Sequence, residues 1–208
     1  MNVYKQFAEN LKQVFEKNAL PLCELDALAG DGDHGLTISH GFERAAQKVA
    51  LLSDTAMPAE IFKEIGYAML GSMGGASGPI FSIFFIQSAI VLKDRPALTG
   101  DLLREIVDAT IAAIYDIAGA RKGDKTMVDA LYGVQEALTQ TSCLQLSDCL
   151  SLASQGAQKG ANATMDMVAK KGRAKFLGER SRGFMDAGSK SVSLIFEIML
   201  HTFAEEKE

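Results

Sequence analysis

The sequence predicts an all-α fold: an eight-helix antiparallel up-and-down bundle or barrel, formed by residues 1–208 as a single domain. Apolar residues recur at intervals of three and four along nearly the whole chain, and no two segments show the alternation typical of paired strands. The 208 residues are 48% hydrophobic and 23% charged, which is enough to bury a full core. The links between predicted helices are mostly short, so consecutive helices should be antiparallel neighbours.

The bulk composition excludes several classes of partner. The net charge of −5 gives no overall case for nucleic acid. Cys23, Cys143 and Cys149 have no CxxC spacing, which favours a reducing compartment over a disulfide framework or a zinc site. The most apolar run, 79–92, is shorter than the ~20 residues of a membrane span, and the first residues lack a signal-peptide pattern. We therefore expect a cytoplasmic protein without a membrane partner.

The first four helices follow from apolar stripes. Residues 2–18 form an amphipathic stripe, and Leu20-Pro21 is expected to end that helix. A second stripe runs from Ile38 to Leu52. Pro58 suits the first turn of a third helix. The fourth helix, 80–92, is apolar almost all round, as expected for a helix surrounded by others.

The last four helices are marked by caps and by a change in composition. Capping side chains are expected to begin three of them: Thr99, Asp124 and Ser147. Gly119 should end the fifth helix. The seventh carries small residues on one face, which indicates close packing against its neighbours. Residues 172–183 are basic and contain glycine, so they should form a loop before an eighth helix at about 187–205.

The segment 25–35 concentrates negative charge on a flexible backbone. Asp26, Asp31 and Asp33 alternate with glycines and stand just before a predicted helix. Hard divalent cations prefer oxygen ligands, glycines allow phosphate to come close, and a helix N-terminus favours anions. This pattern predicts a magnesium–phosphate site. A solvated acidic turn is the alternative, and the segment alone does not decide between the two.

The unusual connections all fall at one end of the predicted bundle. Alternate connections of an up-and-down bundle share an end, which brings together the acidic segment, the glycine-rich segment 71–78, the link 118–124 and the basic segment 172–186. The glycine-rich segment is not a Walker A sequence, because no Lys-Ser/Thr follows the glycines. It could still cradle phosphate with its backbone N–H groups; a plain interhelical turn is the alternative.

The basic segment, Met127 and His34 each allow a functional and a purely structural interpretation. Six cations lie within thirteen residues: Lys170, Lys171, Arg173, Lys175, Arg180 and Arg182. They could form a solvated face, or Arg173 or Arg180 could neutralise phosphate. Met127 could cover an adenine ring or belong to the core. His34 could bond to phosphate or be an ordinary loop histidine.

Taken in order, these motifs resemble the ADP-binding L subunit family of bacterial dihydroxyacetone kinases. The segments that carry the resemblance are 30–35 with Asp26, 74–79, 123–127, 172–181 and 186–188. The resemblance implies that ADP or ATP is resident at one end of the bundle with two Mg²⁺ ions. Asp26, Asp31 and Asp33 would be both catalytic and metal-binding. The implied nucleotide contacts are His34, Gly35, Leu36, Thr37, Gly75, Ala76, Ser77, Met127, Arg173, Asp186, Ala187 and Gly188. Ala187 replaces the proline usual in the family.

The resemblance also implies partners. A separate K subunit would hold dihydroxyacetone, since a chain of this length filled by the bundle leaves no room for that module. A phosphotransferase-system protein, the M-type subunit, would rephosphorylate the bound ADP, and a homodimer is left open. The alternatives are a non-catalytic ADP- and magnesium-binding regulatory or scaffold module, a kinase subunit for a related short ketose, and a carrier of apolar ligands.

Overall fold

A computed structural model describes residues 2–74, 77–140 and 145–204, apart from the side chains of Ser77 and Gln140. In this part of the chain every regular element is helical, which confirms the all-α class. The helices are α1 (Val3–Lys17), α2 (Ala19–Ala27), α3 (His34–Ala50), α4 (Pro58–Ser72), α5 (Ser77–Val91), α6 (Gly100–Ala118), α7 (Met127–Gln140), α8 (Leu146–Ala163) and α9 (Ala187–Phe203). Two 3₁₀ segments, Thr164–Asp166 and Arg173–Ser181, separate α8 from α9.

Eight of the helices form a closed ring. α1 packs on α3, each helix from α3 to α8 packs on the next, and α9 contacts both α8 and α1. The remaining helix, α2, packs against α1, α3 and α9. Short connections join successive helices from α3 to α8, whereas α2 and the segment 164–186 link the other neighbours of the ring. Neighbours joined by short connections run antiparallel, so alternate connections share an end. The architecture is therefore the predicted up-and-down barrel with one additional short helix.

Aromatic side chains from several helices fill the barrel. Phe7, Phe62 and Phe85 are completely buried, and the ring centroids of Phe62 and Phe85 lie 6.2 Å apart. Phe84 meets Phe196 of α9 edge to face at 5.6 Å. Burying one such side chain contributes about 1.5–3 kcal/mol. This core ties α1, α4, α5 and α9 together and gives the connections at the ends a rigid support.

Glycines allow α7 and α8 to pack with their backbones close together. A Cβ atom at Gly133 of α7 would lie 2.2 Å from the carbonyl oxygen of Gly156 of α8. A Cβ atom at Gly160 would lie 2.4 Å from the carbonyl oxygen of Asp129. Any larger residue at these positions would force the two helices apart. The close packing predicted for the small-residue face is thus observed.

The additional helix α2 corrects the expectation that Leu20-Pro21 ends the first helix. The chain turns at Asn18 and becomes helical again at Ala19. Pro21 is the third residue of α2, where its missing N–H removes no intrahelical hydrogen bond. Asp26 consequently lies in the last turn of a helix, and the true turn between α2 and α3 covers only residues 28–33.

Some of the predicted helix ends are observed and others are wrong. Thr99 caps α6 by accepting the N–H of Leu102 at 3.3 Å, Pro58 opens α4, and Gly119 ends α6 with a left-handed φ of 60°. The predicted caps Asp124 and Ser147 are wrong. α7 begins directly after Thr126, and α8 begins one residue before Ser147.

Two other expectations also differ from the structure. The basic segment contains the 3₁₀ helix Arg173–Ser181 and is not an irregular loop; Gly178, with φ 54° and ψ −130°, interrupts it. Cys149, which is fully buried in α8, is disulfide-bonded, whereas Cys23 is free. In the described residues no helix is long and apolar enough to cross a membrane.

Candidate functional site

Three connections meet at one end of the barrel and enclose a cleft of about 190 Å³. The turn after α2, the link between α6 and α7, and the crossover 164–186 between α8 and α9 all contribute to its wall. The lining residues include Asp26, Gly30, Asp31, Lys125, Thr126, Lys171, Arg173, Phe184, Asp186 and Ala187. The convergence of these three connections agrees with the pattern expected from alternate connections.

The fourth predicted participant is only partly described. Gly75 and Ala76 lie outside the described residues, as does the side chain of Ser77. The start of α5 nevertheless lies beside the start of α3, because the rings of His34 and Phe81 are 5.6 Å apart. The predicted phosphate contacts of the glycine-rich segment therefore remain predictions.

The three aspartates of the acidic segment come together. Asp26, Asp31 and Asp33 each offer a carboxylate oxygen, and these oxygens lie within 4.8 Å of one another. Asp26 is half-buried, whereas Asp31 and Asp33 are exposed. Carboxylate oxygens at this spacing, open to solvent on one side, fit a hard divalent cation that also keeps water or phosphate ligands.

The backbone of this turn folds around Asp26. Its Oδ2 accepts the N–H of Gly32 at 2.9 Å, and the φ of 75° at Gly32 lies in the left-handed region that favours glycine. A Cβ atom at Gly30 would lie only 2.6 Å from Asp26 Oδ1. Asp31 and Asp33 are therefore brought back toward Asp26 by a turn in which Gly32 has a backbone conformation that favours glycine and Gly30 leaves room for the Asp26 carboxylate.

Gly35 sets the position of α3 against α2. A Cβ atom here would lie 1.9 Å from the carbonyl oxygen of Ala19. Because this contact is with backbone, no side-chain movement could relieve it. The start of α3 can cross α2 closely only without a side chain at this position, and that crossing places Asp33 beside the end of α2.

Arg173 links the basic crossover to the acidic turn. Its guanidinium forms an ion pair with Asp31, and both side chains remain well exposed to solvent. The bond from Arg173 lowers the pKa of Asp31, and Asp31 in turn raises the pKa of Arg173. The crossover therefore places one permanent positive charge directly against the aspartate cluster.

Most of the other cations of the basic segment bind to nearby groups of the protein. Lys171 Nζ donates to the carbonyl oxygen of Ala118 at 3.2 Å, and Lys170 Nζ lies 3.8 Å from Asp124 Oδ1. Arg182 pairs with Glu179 at 2.8 Å. These contacts fix the crossover to the rest of the protein. Among the cations of this segment, Arg173 alone pairs with the acidic turn within the described residues.

The starts of α7 and α9 lie side by side beneath the cleft. Asp186 caps α9, its Oδ2 accepting the N–H of Ser189 at 2.7 Å, and Ser189 Oγ donates to the carbonyl oxygen of Thr126 at 2.7 Å. A Cβ atom at Gly188 would lie 3.3 Å from the Cβ of Met127. Burial raises the pKa of Asp186 to about 6, although the N–H of Ser189 and the charge of Lys125 oppose that rise.

Met127 and His34 are more buried than a simple ligand contact would require. Met127 is 6% exposed and belongs to the core. His34 is 8% exposed, with its Nε2 2.8 Å from Ser191 Oγ of α9. Burial lowers the pKa of His34, which favours a neutral ring. Its side chain joins α3 to α9, and the predicted nucleotide contacts at residues 34–37 remain predictions.

Two residues of the cleft wall, Lys125 and Phe184, were not predicted as site residues, although both line the cleft. Lys125 stands within the motif 123–127, two residues before the start of α7, and that position was the available signal. No sequence pattern indicated Phe184.

Comparison with known proteins gives a consistent family. The model of the DAK2 domain matches residues 28–201. The chain is 37% identical over 188 residues to the ADP-binding subunit DhaL of PEP-dependent dihydroxyacetone kinase from Escherichia coli (strain K12), with 89% of each chain covered. It is 33% identical to L-erythrulose 1-kinase from Mycolicibacterium smegmatis, covering 92% of this chain and 34% of that protein.

A solved structure shares the fold. The crystal structure of the dihydroxyacetone kinase from C. freundii in complex with AMP-PNP and Mg²⁺ superposes with a TM-score of 0.68 at 26% identity. The match covers 97% of this chain but only 34% of that one. The chain therefore corresponds to about a third of that longer kinase.

Proposed function

The chain belongs to the DAK2 domain family, and from this premise we propose that it is the nucleotide-binding subunit of a phosphoenolpyruvate-dependent dihydroxyacetone kinase. In this proposal it accepts a phosphoryl group from a phosphotransferase-system protein and passes it to dihydroxyacetone held on a separate K subunit. The observation that carries the proposal is the cluster of Asp26, Asp31 and Asp33 with Arg173 paired to it at one cleft. The likeness to the E. coli ADP-binding subunit supports it.

The three aspartates have the chemistry that magnesium requires. Asp26, Asp31 and Asp33 present closely spaced carboxylate oxygens, and two of these side chains are open to solvent, so phosphate and water can complete an octahedral shell. We propose that they hold two Mg²⁺ ions. Bound magnesium would supply neutralisation of phosphate charge at this site. Asp26 keeps the turn in shape through the N–H of Gly32.

The remaining contacts would orient ADP or ATP. Arg173 carries a permanent charge that can bind phosphate, since a guanidinium donates several N–H groups in a fixed geometry. The N-termini of α3 and α9 present backbone N–H groups near the cleft, which favours anions. The proposed contacts are residues 34–37, 75–77 and 186–188 with Met127 and Arg173. Asp186 caps α9 and thereby fixes the position of residues 186–188.

The proposal assigns this chain the transfer step and leaves ketone recognition to the K subunit. Arg173 would stabilise negative charge on the transferring group, and the aspartates would hold the magnesium that neutralises phosphate charge. Such positioning and electrostatic stabilisation are the main contributions to phosphoryl transfer. The phosphodonor would be an M-type phosphotransferase protein. We propose that this chain and both partners operate in the cytoplasm.

The direct test is the nucleotide content of the purified protein. We expect denaturing extraction followed by mass spectrometry to release ADP in a near-stoichiometric amount, and EDTA to promote its loss from the native protein. A matched preparation of Asp31→Asn should retain much less ADP. A wild-type protein that carries no nucleotide and binds none when ADP and Mg²⁺ are added would overturn the proposal.

A related short ketose is the second candidate substrate. It is favoured by the 33% identity to an L-erythrulose 1-kinase. Phosphoryl transfer with a reconstituted K-type partner should be compared on dihydroxyacetone and on erythrulose. A large preference for erythrulose would change the substrate but leave the role of this subunit intact.

A further inference from the structure

Lys125 is an unusual residue in the cleft wall. Its side chain is charged, yet the residue is only 2% exposed. Its φ of 59° lies in the left-handed region, which costs free energy for a residue other than glycine. A buried charge in a strained backbone persists only where the surrounding structure requires it.

The ammonium group of Lys125 binds both ends of the crossover 164–186. Nζ donates to the carbonyl oxygen of Thr164 at 2.6 Å and to that of Phe184 at 2.6 Å. It also lies 4.7 Å from the centre of the Phe184 ring, within the range of a cation–π interaction. Thr164 begins the crossover, and Phe184 stands three residues before the start of α9.

The backbone next to Lys125 adds a third attachment. The N–H of Lys170 donates to the carbonyl oxygen of Asp124 at 3.0 Å. The end of the crossover is also bonded to its beginning, because Thr164 Oγ1 accepts the N–H of Asp186 at 2.9 Å. Residues 124–125 therefore hold the crossover at its start, in its interior and at its end.

We propose that Lys125 is a positioning residue, whose buried ammonium fixes the two ends of the crossover and thereby holds Arg173 and Asp186 at the nucleotide cleft. Charge is essential to this role, because an ammonium donates strongly to carbonyl oxygens, whereas an apolar side chain of equal length would donate to neither carbonyl. The consequence for nucleotide binding rests on the proposed function, but the effect on the crossover does not.

The first measurement is amide hydrogen exchange on the ligand-free protein, comparing wild type with Lys125→Met. Methionine keeps the length of the side chain and removes its charge. Loss of a charge-assisted hydrogen bond should speed exchange in residues 164–186 by about 10-fold, with residues 2–50 unchanged. Lys48→Met, at an exposed position of α3, is the matched control and should leave both regions unchanged.

The second measurement separates positioning from general loss of stability. Calorimetry on Lys125→Met should show ADP affinity lowered about 10-fold while the affinity for Mg²⁺ alone is retained, since the aspartate cluster lies on the other wall.

Equal rates of amide exchange in Lys125→Met and wild type would overturn the inference. If Lys125→Met does not fold, Phe184→Leu decides: it keeps the carbonyl, removes the ring, and should speed exchange in 164–186 about threefold. No change of exchange in Phe184→Leu would likewise count against the proposed role of Lys125. Failure of the wild type to bind ADP would instead reject the proposed function.

Discussion

The two walls of the cleft carry opposite charge and satisfy that charge in opposite ways. On the acidic wall, the Asp26 carboxylate accepts one backbone N–H and the Asp31 carboxylate pairs with Arg173. The Asp33 carboxylate has no hydrogen-bond or ion-pair partner in the described part of the chain. On the basic wall, most cations are already bonded to carbonyls or carboxylates of the protein itself. Closely spaced carboxylates with few partners repel one another unless a cation joins them.

This difference indicates separate roles for the two walls. The acidic wall is a binding surface whose charge is left to be neutralised from outside. The basic wall is mainly a scaffold, whose charges hold the crossover in place, and Arg173 is the exception that pairs across the cleft. Substitutions of charged residues on the acidic wall should therefore affect function far more than stability, whereas most substitutions of cations on the basic wall should do the reverse.

The largest effect is expected from Asp31→Asn. Removing one carboxylate from the cluster weakens metal binding and transition-state charge stabilisation, so phosphoryl transfer in the reconstituted system should fall by at least about 100-fold. The melting temperature without ligand should change little, because the side chain is exposed. Asp116→Asn, on the exposed surface of α6, is the control. Full activity of Asp31→Asn would show that the acidic wall does not contribute to phosphoryl transfer through this carboxylate.

A smaller effect is expected from Arg173→Met. Comparing the ADP affinity of this variant with that of Arg182→Met tests whether Arg173 differs from the other cations of the basic wall. Loss of a charged hydrogen-bond donor to phosphate should weaken ADP binding by about 10–100-fold. Arg182 pairs with Glu179 and with the carbonyl of Asp166, so its removal should change ADP affinity by less than about threefold. Calorimetric titration of both variants checks this. Equal losses of affinity would mean that the whole basic wall contributes to binding.

Gly35→Ala and Gly188→Ala test how rigidly each wall is built. The Cβ at Gly35 would lie 1.9 Å from a backbone oxygen, whereas that at Gly188 meets its nearest atom, Asp186 Oδ2, at 3.1 Å. We expect Gly35→Ala to lower the free energy of unfolding by about 3 kcal/mol and Gly188→Ala by about 1 kcal/mol or less. Urea denaturation measures both. A smaller loss of unfolding free energy for Gly35→Ala than for Gly188→Ala would show that α2 and α3 can move apart at little cost in stability.

The sequence was sufficient for the helical class and for the convergence of the connections, because apolar periodicity and link length determine both. It was insufficient for α2, because a proline at the third position of a helix has the same local pattern as one that ends a helix. It was also insufficient for Lys125 and His34. Whether a polar side chain is exposed or buried between two helices depends on contacts with residues far along the chain, such as Phe184 and Ser191, which no local pattern contains.

The smallest effect concerns the pH dependence contributed by Asp186. Its folded-state pKa, raised to about 6 by burial, exceeds the usual value near 3.9 for an unfolded aspartate. The folded state therefore binds more protons between about pH 4 and 6, and stability from this group falls as the pH rises through that window. The full shift would correspond to about 3 kcal/mol, but Asp186 is only half-buried, so we expect a contribution on the order of 1 kcal/mol.

Asp186→Asn removes the titration but keeps a good cap for α9, since asparagine also accepts the N–H of a helix start. Urea denaturation at several pH values from about 4 to 7 should therefore give a flatter profile for Asp186→Asn than for wild type. Parallel profiles for the two proteins would mean that Asp186 ionises normally. The charge of Lys125 would then offset the cost of burying Asp186 completely, and the start of α9 would keep its negative charge down to about pH 4.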